Sequence, residues 1–232
     1  MARKPSSTLS ALSSGLPSSS SQSQSGKVVE IRHAGRQNLR IIGGEWRGRK
    51  ITVATVAAGL RPTQDRVRET LFNWVAGPLP GARCLDLFAG TGALGLEALS
   101  RGAQQVNFVD LSNIATEHLI EHLKHLPKAT GQVAKVEQMS GFDWLRNYKA
   151  NAATSFQSLT YDLVFLDPPF ALALLQDTLK ALWESQCLAT NALIYVEQAK
   201  PLTDLVLPDG WRLHRSKKAG QVFYGLISRL DR

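Results

Sequence analysis

From Arg83 onward the chain alternates short apolar runs with longer segments of helical spacing, and this alternation limits the available folds more than any other feature. Cys84-Leu85-Asp86-Leu87 predicts a buried strand, followed by a glycine loop and a helix to about Ser100. Val106 to Val109 predicts a second strand, and a helix capped by Ser112 or Asn113 comes next, running to about His125. Gln132–Val136, Tyr161–Leu166 and Ala192–Val196 predict three more strands. Strands that alternate with helices at this spacing form βαβ units, hence a parallel sheet covered on both faces. Trp211–Ser216 and Val222–Arg229 lack a helix between them and read as an antiparallel pair closing the chain.

The region before Arg83 is organised differently. Residues 1–26 are a Ser-rich, low-complexity segment poor in apolar side chains that cannot bury enough surface to offset its ordering entropy, and the extension it begins is expected to run over residues 1–37. They read as a disordered extension rather than a transit peptide, because no amphipathic Arg-bearing face is present. Ordered structure is expected from about Asn38. Leu39–Ile42 and Arg49–Val53 flank Gly43, Gly44 and Gly48 and predict a basic β-hairpin within residues 38–60. Arg61-Pro62 enforces an extended residue, and Thr63 then suits the N-cap of a helix from Gln64 to about Val75. Val67, Leu71, Trp74 and Val75 are its apolar stripe. Residues 61–232 are expected to form the main domain.

Charge narrows the partners. Residues 1–50 carry nine Lys or Arg against Glu30 and Glu45, within a net charge of +8. Such an excess draws polyanions, phosphate backbones above all, although a solvated basic tail would show the same composition. No apolar run approaches the roughly 18 residues a spanning helix needs. Cys84 and Cys187 are far apart in sequence, which argues against a disulfide framework and for a reducing compartment, most simply the cytoplasm.

Asp86-Leu-Phe88-Ala89-Gly90-Thr-Gly92-Ala-Leu-Gly95 lies where the first strand passes into its helix. Glycines there admit a ligand close to the backbone, and the helix start presents free N–H groups. The G-x-G-x-x-G match, with Asp110 twenty residues beyond Gly90, suits either a dinucleotide or S-adenosylmethionine (SAM), with the acid on the ribose hydroxyls. Asp86 separates the two. A carboxylate at the strand end repels a pyrophosphate and attracts the cationic sulfonium and ammonium of SAM. The remaining alternative is a turn-capping aspartate.

Leu163–Leu166 ends in Asp167-Pro168-Pro169-Phe170. Ligands of open α/β sheets bind beyond the carboxyl ends of strands, so this loop should share a cleft with the glycine loop. Two prolines stiffen the backbone and remove two donors, leaving carbonyl acceptors beside the Asp167 carboxylate. A rigid acceptor pair suits a group with two hydrogens, such as the exocyclic amine of a base, and Phe170 offers a stacking face. Hydrogen bonds from both amine hydrogens would direct the nitrogen lone pair at the SAM methyl, and Asp167 would offset the charge that grows during transfer. No metal is required.

With the upstream glycine loop, these residues resemble the class I amino-methyltransferases of nucleic acids, and more closely the RsmD family of bacterial 16S rRNA guanine-N2 methyltransferases. The resemblance is carried by Arg40 to Lys50, Leu60 to Trp74, Leu85 to Arg101, Asp162 to Phe170, Ala192 to Glu197 and Ala219 to Val222. It implies a Rossmann-like, mostly parallel seven-stranded α/β sheet with an antiparallel C-terminal strand and a small N-terminal β-hairpin. It further implies that Asp86, Phe88, Ala89, Gly90, Gly92 and Asp110 hold SAM, and that Asp167, Pro168 and Phe170 hold the guanine. The segment bearing Arg61, Thr63, Arg66 and Arg68 would touch RNA or the methionine end of the cofactor. Arg40, Arg47, Arg49 and Lys50 of the hairpin would meet 16S rRNA, within the small ribosomal subunit or an assembly intermediate, with the enzyme a monomer. Where related enzymes place an acid after the third strand, this chain has Gln138-Met139-Ser140-Gly141, with Ser140 as the counterpart. Residues 149–158 look like an addition without family meaning.

Other functions stay open at this point: a DNA amino-methyltransferase, for which no recognition domain fits in the chain; a protein glutamine methyltransferase, which would prefer Asn at 167; and an idle assembly factor. His118, His122 and His125 lie beside the stripe Ala115, Leu119, Leu123 and Leu126. Lacking a third convergent ligand, they read as a helix face rather than a metal site. Trp46 suits either stacking on RNA or covering the hairpin.

Overall fold

In the computed structural model, residues 36–54, 65–127, 129–152 and 160–229 are described, and their strands sort into two sheets. Strands β1 (Arg36–Arg40) and β2 (Lys50–Ala54) form the antiparallel hairpin. The larger sheet holds β3 (Arg83–Asp86), β4 (Gln105–Asp110), β5 (Val133–Gln138), β6 (Tyr161–Leu166), β7 (Leu188–Gln198), β8 (Trp211–Ala219) and β9 (Val222–Arg229). Its order is β5-β4-β3-β6-β7-β9-β8. Strands β3 to β7 run parallel, and β9 is antiparallel to both neighbours, β7 and β8. The mostly parallel seven-stranded α/β sheet with an antiparallel C-terminal strand is therefore present, together with the hairpin.

Alternation along the strands divides the core. Cys84, Phe108, Phe165, Tyr195 and Tyr224 face α1 (Asp65–Trp74), α2 (Ala93–Ser100) and α3 (Asn113–His125). Leu85, Val109, Val164, Leu166 and Val196 face α4 (Gly141–Ala152) and α5 (Leu175–Ser185). Val67, Leu71 and Phe72 of α1 are buried, each contributing about 1.5–3 kcal/mol from area removed from water. Among the described residues no helix is long and apolar enough to cross a membrane.

Several elements differ from expectation. Pairing of Arg36 with Ala54 and Gln37 with Val53 carries β1 two residues into the segment read as an extension. Ile41 and Ile42 leave the strand because the hairpin turns there to dock on α2. Helix α4 has no counterpart among the predicted elements: Ser140 caps it by accepting from Asp143 N at 3.1 Å, and Trp144, Leu145 and Tyr148 supply its inward face. Nor has α5, although Leu175, Leu179 and Leu182 are spaced one face apart and are all buried. Lys149 belongs to the last turn of α4 rather than to an insertion. Strand β7 runs to eleven residues: its amino end reaches back to pair Leu188 with Tyr161 of β6, and pairing with β9 carries it on to Gln198. The expected extension over residues 1–35, together with Arg61 and Thr63, lies outside the described residues.

The hairpin is tied down by a buried carboxylate. Glu97 of α2, fully buried, accepts from Ile42 N at 2.8 Å and Gly43 N at 2.7 Å and pairs with Arg101 at 2.7 Å. Arg68 of α1, also fully buried, approaches the same carboxylate at 3.8 Å and donates to the Arg40 carbonyl at 2.8 Å and to Asp65 at 2.6 Å. Trp46 is 1% exposed and donates to the Pro127 carbonyl at 2.8 Å, so it covers the hairpin's apolar side. Removing one member of a buried ion cluster strands the others. Glu97→Ala is expected to lower the unfolding free energy by about 3–5 kcal/mol in urea titration, with β1 and β2 amides losing hydrogen-exchange protection first.

Candidate active site

Strand β3 has β4 on one side and β6 on the other, and the chain reaches them across opposite faces of the sheet. The loops after β3 and β6 therefore diverge at the carboxyl edge and leave a crevice between them. Both sequence motifs fall there.

Asp86 is the last residue of β3 and is 3% exposed; its Oδ2 accepts from Gly95 N at 3.0 Å, in the first turn of α2. Burial pushes its carboxyl up to about 7, opposed by the Gly95 N–H and reinforced by the charges of Asp167 and Asp110. Gly92 starts α2 at φ 77°, where a Cβ would also lie 2.5 Å from Leu119. A Cβ on Gly95 would collide with the Phe108 ring, so the third glycine serves helix–strand packing.

Asp110, expected to hold ribose hydroxyls, also organises the loop. Its Oδ2 accepts from Gly90 N at 2.7 Å and its Oδ1 from Ser112 N at 2.8 Å. Each carboxylate oxygen retains a second lone pair for a ligand. Ala89 is buried and donates its N–H to the Val109 carbonyl at 2.9 Å, and Phe88 packs half-buried against the α4–α5 side. The Ser140 hydroxyl is occupied at the start of α4, donating to Asp143 Oδ2 at 2.7 Å.

Across the crevice, Asp167 follows β6 half-buried, Pro168 is buried, and Phe170 is 39% exposed at the start of a 3-10 turn, Phe170–Leu172. The Pro169 carbonyl accepts from Leu172 N at 3.0 Å, which corrects the picture of two outward prolyl carbonyls. One step beyond the Leu166–Val196 pair, Glu197 stands next to Asp167, 3% exposed, accepting from the Tyr195 hydroxyl at 2.7 Å. Burial raises the Tyr195 phenol well above its ordinary value, and the charges of Glu197 and Asp167 add to this. Sequence reasoning gives Glu197 no role. Its one signal is an acid at a strand end, in register with the Asp-Pro-Pro-Phe loop. Four carboxylates along one strand edge favour a cationic ligand.

The expected RNA contacts are dispersed. Arg40, Arg47, Arg49, Lys50 and Arg66 are exposed. Arg68 is not: its burial against Arg40, Asp65 and Glu97 removes it from any RNA surface and gives it the structural role described above. Arg49 and Lys50 line a cavity of ≈ 300 Å³ with Thr52, His122 and His125. That cavity lies at the far end of α3, roughly 18 Å along the helix from its start beside the crevice.

The sequence matches, over residues 39–228, the family described as Conserved hypothetical protein 95. It is 44% identical over 197 residues to the ribosomal RNA small subunit methyltransferase D of Escherichia coli, covering 85% of this chain and 93% of that one. A solved structure of a candidate methyltransferase from Escherichia coli superposes with TM-score 0.70 at 43% identity, over 83% of this chain and 98% of the other. The fold is shared more widely: a candidate methyltransferase solved in complex with S-adenosylhomocysteine (SAH) superposes at TM-score 0.60 with 19% identity, over 77% of this chain and 53% of the other.

The raised Asp86 carboxyl gives a signed expectation. Below pH 7 it is neutral, and ionising it, as pH rises through 7, costs folding stability but creates the charge a cation needs. SAM binding measured by calorimetry should therefore tighten about tenfold between roughly pH 6 and pH 8 and release a proton near pH 7. Asp86→Asn should bind weakly, with that pH dependence flattened.

Proposed function

The chain belongs to the ribosomal RNA small subunit methyltransferase D family, and from that membership we propose that it transfers a methyl group from SAM to the exocyclic N2 of a guanine in small-subunit ribosomal RNA. The observation that carries the reading is the placement of Asp86 and Asp167 at the ends of two neighbouring strands, across one crevice, close enough for each charge to be felt by the other. One carboxylate attracts a cationic cofactor; the other stands at the mouth, on backbone stiffened by the prolines after it.

When bound, SAM supplies an electrophilic methyl group on a sulfonium. Asp86 offsets the cofactor's positive charge, Asp110 accepts from its ribose, and Ala89, Gly90 and Gly92 give it a backbone surface without side-chain obstruction. Phe88 backs the loop. Thr63 and the backbone at Ser140 complete the cofactor's surroundings. Asp167 and the Pro168 carbonyl accept the two N–H groups of the guanine amine, which turns its lone pair toward the methyl. Asp167 also offsets the positive charge that develops on the nitrogen, and Phe170 stacks on the ring. Arg40, Arg47, Arg49, Lys50, Arg61 and Arg66 hold phosphates. The substrate of this reading is 16S rRNA in the small subunit or its assembly intermediate, with the enzyme a cytoplasmic monomer. Cys84 and Cys187 are buried and unpaired, which suits a reducing compartment.

Incubation with radiolabelled SAM and, separately, naked 16S rRNA, small subunits, DNA and protein tests the proposal. Label recovered as N2-methylguanine in rRNA is the expected result; label in DNA or protein alone, or in none, would refute it. Asp167→Ala should lose about 10²–10³-fold in turnover while binding SAM within a few-fold of the parent.

A further inference from the structure

Resting on the RNA-methylating reading, we infer that the carboxyl-edge tip of the β8–β9 hairpin, carrying Lys217 and Lys218, is a docking rim for the phosphates of the RNA strand that flanks the target base. The register places it. Leu166 pairs with Val196, so Asp167 and Glu197 stand at the next level; Glu197 pairs with Tyr224, and Tyr224 with Lys217. Asp167, Glu197, Tyr224 and Lys217 thus form one row across four adjacent strands, with the lysine about 14 Å from Asp167 at ordinary strand spacing. Lys218 and its partner Phe223 lie one step nearer the tip.

The chemistry of the row changes along its length. Its inner end is acidic and suits an amine. Its outer end is basic: β8 reads Trp211-Arg-Leu-His-Arg-Ser-Lys-Lys-Ala219, with Arg212, Arg215, Lys217 and Lys218 and no acid. Both tip lysines are exposed, and among the described residues neither has a carboxylate partner. Each instead stands over an aromatic ring, Lys217 at 6.0 Å from the Trp74 centroid and Lys218 at 4.7 Å from that of Phe223. Trp74 stacks in turn on Tyr224 at 5.6 Å, so the Lys217 stem rests on a platform anchored in the core, while Lys218, on the opposite face of the strand, rests on Phe223. A lysine that only guarded an edge strand against pairing would need no such platform, and one would suffice. Unpaired cations beside a base pocket match the positively charged surface along which the backbone of single-stranded nucleic acid is tracked. The Ala219–Val222 turn, unassigned by the cofactor or base chemistry, is what brings the two lysines to this edge.

The test uses the full-length chain and a 16S rRNA transcript. Lys217→Gln with Lys218→Gln should reduce the slope of log affinity against log salt by about 1.4–1.8, from two lost phosphate contacts. The KM for RNA should rise at least fivefold, with turnover at saturating RNA and the SAM dissociation constant unchanged. Lys149→Gln, in the last turn of α4 at the opposite edge of the sheet, should leave all four quantities unchanged. Independently of any variant, RNA but not SAH should protect Lys217 and Lys218 of the parent from amine acylation. A double variant with the parent's salt slope and KM, or lysines acylated equally with and without RNA, would overturn the inference. Parent protein that binds the transcript through these lysines yet forms no N2-methylguanine would refute the methylation reading and leave the docking rim standing.

Discussion

The order of strands reverses at β3, and the site depends on that reversal. From β3 the chain moves outward to β4 and β5 over the α2–α3 face, then returns across the α4 face to lay down β6 on β3's other side. Right-handed crossovers allow no other placement of the helices. The two loops that leave the carboxyl edge on either side of this point bend apart and leave a gap between them. A carboxylate at the base, Asp86, is desolvated enough to hold its proton near neutrality. Asp167, at the mouth, is half-buried. One geometry thus provides two carboxylates in different environments, which is how a single crevice can address a cation and an amine separately.

Around this crevice the chain uses buried charge as a fastener. Glu97 gathers Arg68, Arg101 and two hairpin amides, although an apolar contact of similar volume would be no less stabilising. What the ionic cluster adds is direction: each partner comes from a different element, so α1, α2 and the hairpin can meet in only one register. The hairpin's exposed cations are consequently held in fixed positions, and some of them lie well away from the crevice. A large nucleic-acid substrate can reach both regions at once.

Much of this was legible in the residues. The ends of β3 and β6 carry residues suited to ligand loops rather than to plain turns, so Asp86 with its glycines and Asp167 with its prolines announced the crevice without any coordinates. The closing antiparallel pair was visible because no helical spacing separates Trp211 from Arg229. Helices α4 and α5 were not visible: Trp144 and Tyr148 are aromatic residues as common in strands, and Leu175–Leu182 comes after a loop whose αL residue, Ala173, gives no sequence signal of a helix start. The burial of Arg68 was beyond reach for another reason. Asp65 lies one turn away on the same helix, but the buried acid Arg68 also approaches, Glu97, lies on a different helix, and a sequence records charges without recording which of them meet. Trp46 stood evenly between two readings until Pro127 supplied a partner for its indole N–H. Glu197 escaped notice because only register shows that it stands beside Asp167.

The proposed reaction turns on Asp167 gripping the target amine across the crevice from Asp86. The most direct measurement is a crystal structure of the protein with SAH and an RNA fragment carrying the modified site. The guanine N2 is expected at about 2.7–3.2 Å from an Asp167 carboxylate oxygen, in line with the cofactor sulfur and in reach of the Pro168 carbonyl. A guanine stacked elsewhere, with its amine turned away from Asp167 while the cofactor occupies the β3 loop, would contradict it.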